Sequence, residues 1–135
     1  MGRWEERDHT ADLCLHVWGA DLKDIFATAA RGMFALLADL ESVPTSDSAK
    51  LCLEAVDAEA LLVDWLNELL YLSEQDHLTA YVAFDFDKLT PTLLQARVQG
   101  GAVETFRTYI KAATYHNLEI RETVEGYETE IVFDI

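Results

Sequence analysis

Residues 57–86 read DAEALLVDWLNELLYLSEQDHLTAYVAFDF, and the spacing of their apolar residues changes partway along. The first half places apolar side chains three and four residues apart, which is typical of one face of an α-helix. Asp57 precedes this pattern as an N-cap, so we predict a helix from residue 58 to about residue 75. Its expected core residues are Leu61, Leu62, Trp65, Leu66, Leu69 and Leu70.

The second half alternates and predicts a strand over residues 78–86. The residues expected to face inward are Leu78, Ala80, Val82, Phe84 and Phe86, and those expected to face outward are Thr79, Tyr81 and Asp85.

The rest of the chain continues this mixture of strands and helices. Alternation predicts strands at residues 3–8 and 13–18, joined by a turn at residues 9–12. Asp21 suits the N-cap of a second helix that runs to about Asp39. Further strands are predicted at residues 49–56, 92–99, 109–116, 118–124 and 127–134.

Two glycine-containing dipeptides indicate turns. Gly100-Gly101 is better interpreted as a turn than as a phosphate-binding loop, and Glu125-Gly126 is expected to join the last two strands as a hairpin. We therefore predict an α+β fold in a single domain covering residues 1–135, with two helices packed on a largely antiparallel sheet.

The charge balance restricts the partners that this chain can have. It carries 25 acidic and 10 basic residues, a formal net charge of -15. Nucleic-acid binding normally depends on a basic patch that neutralises phosphates, and no window concentrates Lys and Arg. The charge disfavours direct binding of nucleic acid or of an anionic membrane and favours basic protein surfaces or metal cations. Alternatively, the acidity only keeps the protein soluble.

The location of the protein can also be predicted. No stretch is long and apolar enough to cross a bilayer, and the N-terminus has no apolar signal segment. These patterns predict a cytoplasmic protein. Cys14 and Cys52 lie in strand-like apolar patterns without metal-ligand spacing, so we expect both to be buried free thiols.

The sequence lacks the common catalytic motifs, including a P-loop, GxGxxG, GxSxG and HExxH. Two groups of carboxylates stand out instead. Residues 8–12 (DHTAD) lie between two predicted strands, where a short turn exposes polar side chains, although Asp8 or Asp12 could equally cap local backbone N–H groups. The last predicted strand ends at Asp134, next to the α-carboxylate of Ile135.

These carboxylates would repel one another if they came together without a cation. Hard oxygen ligands suit Ca²⁺, Mg²⁺ or Mn²⁺ better than Zn²⁺. The alternative is that Asp134 is a solvated charge at the end of a strand.

Four segments together resemble the motifs of the archease family, in the order that the family has them. They are residues 8–12 (DHTAD), 62–71 (LVDWLNELLY), 111–116 (KAATYH) and 132–135 (VFDI). The resemblance spans nearly the whole chain. It implies a small α/β protein with a sheet packed on two helices and a smaller inserted portion.

The resemblance also implies a role. Archeases serve as non-catalytic cofactor proteins of the RNA ligase of the RtcB type, which acts in tRNA splicing and RNA repair. They promote guanylylation of the ligase by GTP, allow multiple turnover and bind a divalent metal ion. Ca²⁺ is the expected ion here, with Mg²⁺ or Mn²⁺ as alternatives.

The resemblance assigns residues to this site. The matching metal ligands are Asp12, Asp134 and Ile135. Lys111 is the nearest match to a basic residue that is implicated in the family. His9 and His116 are candidates for groups that orient the carboxylates or face a partner, although either could be a core histidine.

Two other functions stay open at this point. One is a stand-alone metal-dependent hydrolase in which Asp12 and Asp134 hold the ion and His9 is the acid or base. The other is a chaperone or adaptor for RNA-modifying enzymes.

Overall fold

The computed structural model describes residues 2–7 and 12–135. Over these residues the chain forms two α-helices, eight strands and a short 3-10 helix at Leu40–Ser42. The helices are α1 (Leu22–Leu37) and α2 (Ala58–Ser73). The strands are β1 (Arg3–Arg7), β2 (Leu13–Gly19), β3 (Asp47–Glu54), β4 (Thr79–Leu89), β5 (Leu93–Ala102), β6 (Ala112–Ala113), β7 (Arg121–Thr123) and β8 (Gly126–Asp134).

The strands of the described residues form two antiparallel sheets. The larger sheet has the order β1-β2-β8-β6, with β7 also paired to β8, and the smaller has the order β3-β5-β4. A continuous core contains residues from both helices and both sheets. The predicted α+β fold is confirmed.

Capping aspartates start both helices as predicted. Asp21 accepts a hydrogen bond from the Asp24 N–H, and Asp57 accepts one from the Ala60 N–H, each at 2.8 Å. Helix α1 stops before its predicted end because Asp39 instead caps the separate 3-10 helix. Within residues 2–7 and 12–135, no helix is both long and apolar enough to cross a membrane.

The helices pack on the smaller sheet through aromatic side chains. Phe26 of α1 and Trp65 of α2 both contact the ring of Phe86, and the Trp65 indole N–H donates to the Phe26 carbonyl at 3.0 Å. Helix α1 also packs closely against the larger sheet. At Gly32 the approach is so close that an added Cβ would come within 2.7 Å of the Leu15 side chain. The expected core residues of α2 are all buried.

The strands predicted at residues 109–116 and 118–124 are much shorter in the structure, where only β6 and β7 remain of them. In these segments, side chains of α2 accept hydrogen bonds from backbone N–H groups where a neighbouring strand could otherwise accept them. Asn67 accepts from the Ala113 N–H at 2.7 Å, and Glu59 accepts from the Ile120 N–H at 3.1 Å. Asn117, with φ of 51°, also interrupts extended backbone.

The hairpin predicted between the last two strands is confirmed, with a small shift. Thr123 pairs with Gly126, so the turn residues are Val124 and Glu125 and Gly126 opens β8. Gly126 has φ of 145°, a conformation that favours glycine.

The predicted facing of β4 was wrong at Thr79 and Tyr81, and also at Val82, which was expected to face inward but is half-buried and lies outside the core. Tyr81 and Thr79 are buried, not exposed, and the Tyr81 ring contacts Phe34 of α1 at 5.7 Å. An irregularity in the β4–β5 pairing between Tyr81 and Ala83 shifts the alternation by one residue. Tyr81 and Phe84 can therefore both face the helices, whereas an unbroken strand would have placed them on opposite faces.

Two further predictions from local sequence were also wrong. Gly100 and Gly101 lie inside β5 and do not form a turn. A Cβ on Gly100 would collide with the carbonyl oxygen of Ala80, so glycine at this position allows β5 to approach β4 closely. Cys14 is a buried free thiol as expected, but Cys52 is exposed because it alternates with the buried Leu51 on the edge strand β3.

Replacing Gly100 with alanine is expected to destabilise the fold by about 3 kcal/mol, the upper part of the usual range for overpacking. The added methyl group would meet backbone atoms of β4, which cannot move aside as a flexible side chain could. Urea denaturation measures the loss. The matched control is Ala102→Val at the exposed end of the same strand, which should change stability by less than about 0.5 kcal/mol.

Candidate functional site

The pairing of β2 with β8 brings Asp12 and Asp134 to the same end of the larger sheet. The last paired residues there are Leu13 and Phe133. Asp12 directly precedes Leu13 and Asp134 directly follows Phe133, so both aspartates adjoin the last pair of this ladder. Phe133 is fully buried against the helices, so alternation turns Asp134 toward the outer face.

The C-terminal end of β8 is held from its other side by β6. Ala112 pairs with Asp134, and the Lys111 N–H donates to the Asp134 carbonyl at 2.7 Å. The strand therefore remains paired up to its last residues, and Ile135 follows directly, 56% exposed. The predicted fixing of the C-terminus in a sheet is confirmed.

The donor set at this end fits a hard divalent cation. Asp12 is half-buried and Asp134 is exposed, and the predicted set includes the α-carboxylate of Ile135 as a third group of oxygen donors. Within the part of the chain that the structure describes, no group of three or more His, Cys, Asp or Glu side chains could hold a metal ion. The predicted set differs from such a group because its third member is a main-chain carboxylate.

The two histidines predicted near the site have different outcomes. His9 lies outside the described residues, as do Asp8, Thr10 and Ala11. His116 lines a small cleft with Cys14, Glu130 and Val132. Val132 precedes Asp134 by two residues, about 7 Å along a strand, so this cleft adjoins the end of the sheet that carries Asp134. The exposed side chain of His116 suits the partner-facing alternative better.

Helix α2 contributes two contacts that sequence reasoning missed. The Asn67 side chain hydrogen-bonds both main-chain groups of Ala113, and the Tyr115 hydroxyl donates to Asp64 at 3.3 Å. Burial, and the carboxylate of Asp64, raise the pKa of Tyr115. Asp64 and Asn67 are polar residues within the apolar pattern of α2, and this is the signal in the sequence that could have identified them.

The outer face of the larger sheet also carries a paired histidine. His16 lies 3.0 Å from Glu128 and 3.4 Å from Glu130, and its ring stacks on Trp18 at 4.0 Å. The hydrogen bond from His16 lowers the pKa of Glu128 below its usual 4.5, and Arg121 acts in the same direction. Burial, and then Glu130, raise the pKa of the Cys14 thiol, which makes that cysteine a poor nucleophile.

The lowered pKa of Glu128 predicts a pH dependence of stability. A carboxyl group whose pKa is lower in the folded state contributes stability above its unfolded pKa and loses it as the pH falls through the folded pKa. Glu128→Gln should therefore reduce the free energy of unfolding at neutral pH, and its difference from the wild type should shrink as the pH falls below 4.5. Chemical denaturation at several pH values measures this.

Glu122→Gln, on the exposed strand β7, is the control and should show no such convergence. A Glu128→Gln deficit that stayed constant down to about pH 3, where most carboxyl groups are protonated, would contradict the assigned cause.

Comparison with known proteins relates this chain to one family, both by sequence and by fold. Residues 4–135 match the model of the Archease protein family (MTH1598/TM1083). The chain is 34% identical to Protein archease from Methanosarcina acetivorans, over 98% of this chain and 96% of that protein. It is also 34% identical to Protein archease from Saccharolobus islandicus, over the whole of both chains.

Two solved structures have this fold. Protein 1598 of Methanobacterium thermoautotrophicum has a TM-score of 0.80 and 26% identity, over 98% of both chains. A Thermotoga maritima protein described as "an archease, possible chaperone" has a TM-score of 0.62 and 22% identity, over 97% of this chain and 96% of that one. The family model matches almost all of the sequence, and the chain belongs to the archease family.

Proposed function

We propose that this protein activates an RNA ligase that joins 3′-phosphate or 2′,3′-cyclic phosphate ends to 5′-hydroxyl ends. It promotes guanylylation of the ligase by GTP and does not itself catalyse the ligation. Membership of the archease family supports the proposal. The observation that carries it is the β2–β8 register, whose last pair, Leu13 and Phe133, adjoins Asp12 and Asp134.

In this proposal Asp12, Asp134 and the α-carboxylate of Ile135 hold one divalent cation, Ca²⁺ in the first place, with Mg²⁺ or Mn²⁺ as alternatives. Such a cation supplies positive charge that can stabilise phosphoryl oxygens during nucleotide transfer. The chain's own contribution is to hold these oxygen donors together at one end of a paired strand. Strand β6 pairs with that end of β8, and helix α2 hydrogen-bonds β6 on its other edge.

The net charge of -15 supports a protein partner with a basic surface. An RNA-binding ligase has such a surface, and opposite charges speed the encounter of two proteins. The same charge argues against direct binding of RNA by this chain, because phosphates would be repelled. A cytoplasmic location goes with this proposal, since the ligase acts on tRNA.

The test is to add the purified protein to the ligase with GTP and RNA. The proposal predicts faster guanylylation and repeated ligation cycles, with no hydrolysis of GTP or RNA by the protein alone. Hydrolysis without the ligase would instead support a stand-alone metal-dependent hydrolase. If the protein only prevents aggregation of client enzymes without any effect on guanylylation, the chaperone reading, to which the Thermotoga maritima description points, is the better one.

A further inference from the structure

Asn67 makes a two-point contact with a segment far away in the sequence. Its Nδ2 donates to the Ala113 carbonyl at 3.2 Å, and its Oδ1 accepts from the Ala113 N–H at 2.7 Å. One side-chain amide therefore satisfies both main-chain groups of a buried residue. This is the pairing that a neighbouring strand would normally supply.

Strand β6 depends on this contact because it contains only Ala112 and Ala113. Strand β8 pairs with one edge of β6, and Asn67 from α2 takes the other. Two residues of strand have little stability of their own, since isolated pairs of strands are already marginal. Buried main-chain groups left without a hydrogen-bond partner would also destabilise this segment.

Strand β6 is in turn joined to the C-terminal end of β8. The Lys111 N–H donates to the Asp134 carbonyl at 2.7 Å, and the Thr114 N–H donates to the Val132 carbonyl at 2.9 Å. The chain of contacts therefore runs from Asn67 through Ala113 to Asp134. A change at Asn67 should reach the end of β8 without touching any proposed ligand.

We propose that Asn67 is the positioning residue of the candidate metal site: by fixing Ala113 it holds β6, and through β6 the Asp134 main chain and Lys111, in place. This inference rests on the proposed function. Groups that orient metal ligands typically affect metal affinity by 10–100-fold, so the effect should be measurable although Asn67 is not itself a ligand.

The experiment uses Asn67→Leu, which keeps the shape of the side chain and removes both hydrogen bonds. Amide hydrogen exchange in the metal-free protein and calorimetric titration with Mn²⁺ are the two readouts. We expect exchange at Lys111 to be at least about tenfold faster and Mn²⁺ affinity to fall about 10–100-fold. Glu68→Gln, the next residue on α2, is the control and should leave both readouts at the wild-type level.

Asn67→Asp keeps the acceptor for the Ala113 N–H but has no donor for its carbonyl, so it should fall between the wild type and the leucine variant in both readouts. If Asn67→Leu does not fold, the same two readouts are compared between Asn67→Asp and the wild type. Circular dichroism and thermal unfolding establish that each variant is folded.

The outcomes separate this inference from the proposed function. If the wild-type protein does not bind Mn²⁺ or Ca²⁺, the proposed function fails, whereas faster exchange at Lys111 in the variant still supports the positioning of β6 by Asn67. If the wild type binds and a folded Asn67→Leu variant binds equally well, the positioning of the site is overturned, whatever happens to exchange. Unchanged exchange at Lys111 overturns it as well.

Discussion

Replacing Asp134 with alanine is expected to weaken the binding of Ca²⁺ and Mn²⁺ by about 100-fold or more, at or beyond the upper end of losses seen for groups that only orient ligands. The carboxylate is proposed to coordinate the ion directly, so its removal takes away both a donor and a negative charge. Asp12→Ala should have a similar effect, because Asp12 and Asp134 adjoin the last pair of the β2–β8 ladder and are both proposed ligands. Calorimetric titration measures both affinities.

The fold should survive both changes. Asp134 is exposed and Asp12 is half-buried, and removing one of several clustered carboxylates relieves repulsion in the metal-free protein. Asp47→Ala is a matched control on the smaller sheet, where the aspartate pairs with His77 at 3.2 Å. It should retain wild-type affinity. If a folded Asp134→Ala variant still binds the ion normally, the cation lies elsewhere on this acidic surface.

Extending the chain beyond Ile135 is expected to abolish stimulation of the ligase. A Gly-Gly extension keeps the number of charges but moves the α-carboxylate away from Asp134, by about 7 Å if the added residues continue as a strand. Strand β8 should still pair, because its hydrogen bonds end at Asp134. The assay compares ligase guanylylation rates with the extended and the wild-type proteins.

The same two residues added at the N-terminus provide the control, and this protein should stimulate the ligase normally. Full stimulation by the C-terminally extended protein would remove Ile135 from the proposed ligand set while leaving the aspartates in it.

Elements with local signals could be predicted from the sequence. Asp21 and Asp57 cap helices through hydrogen bonds to residues three positions away, so each start is encoded within one helical turn. The hairpin between β7 and β8 was also predicted from a local signal, the dipeptide Glu125-Gly126. The spacing of apolar residues along α2 is a local signal too, and the six core residues that it predicted are all buried.

Features that depend on distant residues could not be predicted in this way. Tyr81 is buried because the β4–β5 pairing is irregular, which alternation along one strand does not reveal. Strand β6 is held along one edge by Asn67, which is 46 residues away from Ala113 in the sequence. The site residues are assigned by resemblance alone, and their role as ligands stays a prediction, although Asp12 and Asp134 adjoin the same end of the β2–β8 ladder.

The central claim is that a divalent cation binds where Asp12, Asp134 and the C-terminus meet, and paramagnetic broadening by Mn²⁺ in amide NMR spectra tests it most directly. We predict that the signals of Asp12, Asp134, Ile135 and Lys111 broaden first, at substoichiometric Mn²⁺, and that added Ca²⁺ restores them. Broadening that begins at other acidic positions, such as Asp47 and Asp76, with these four signals unaffected, would contradict the claim.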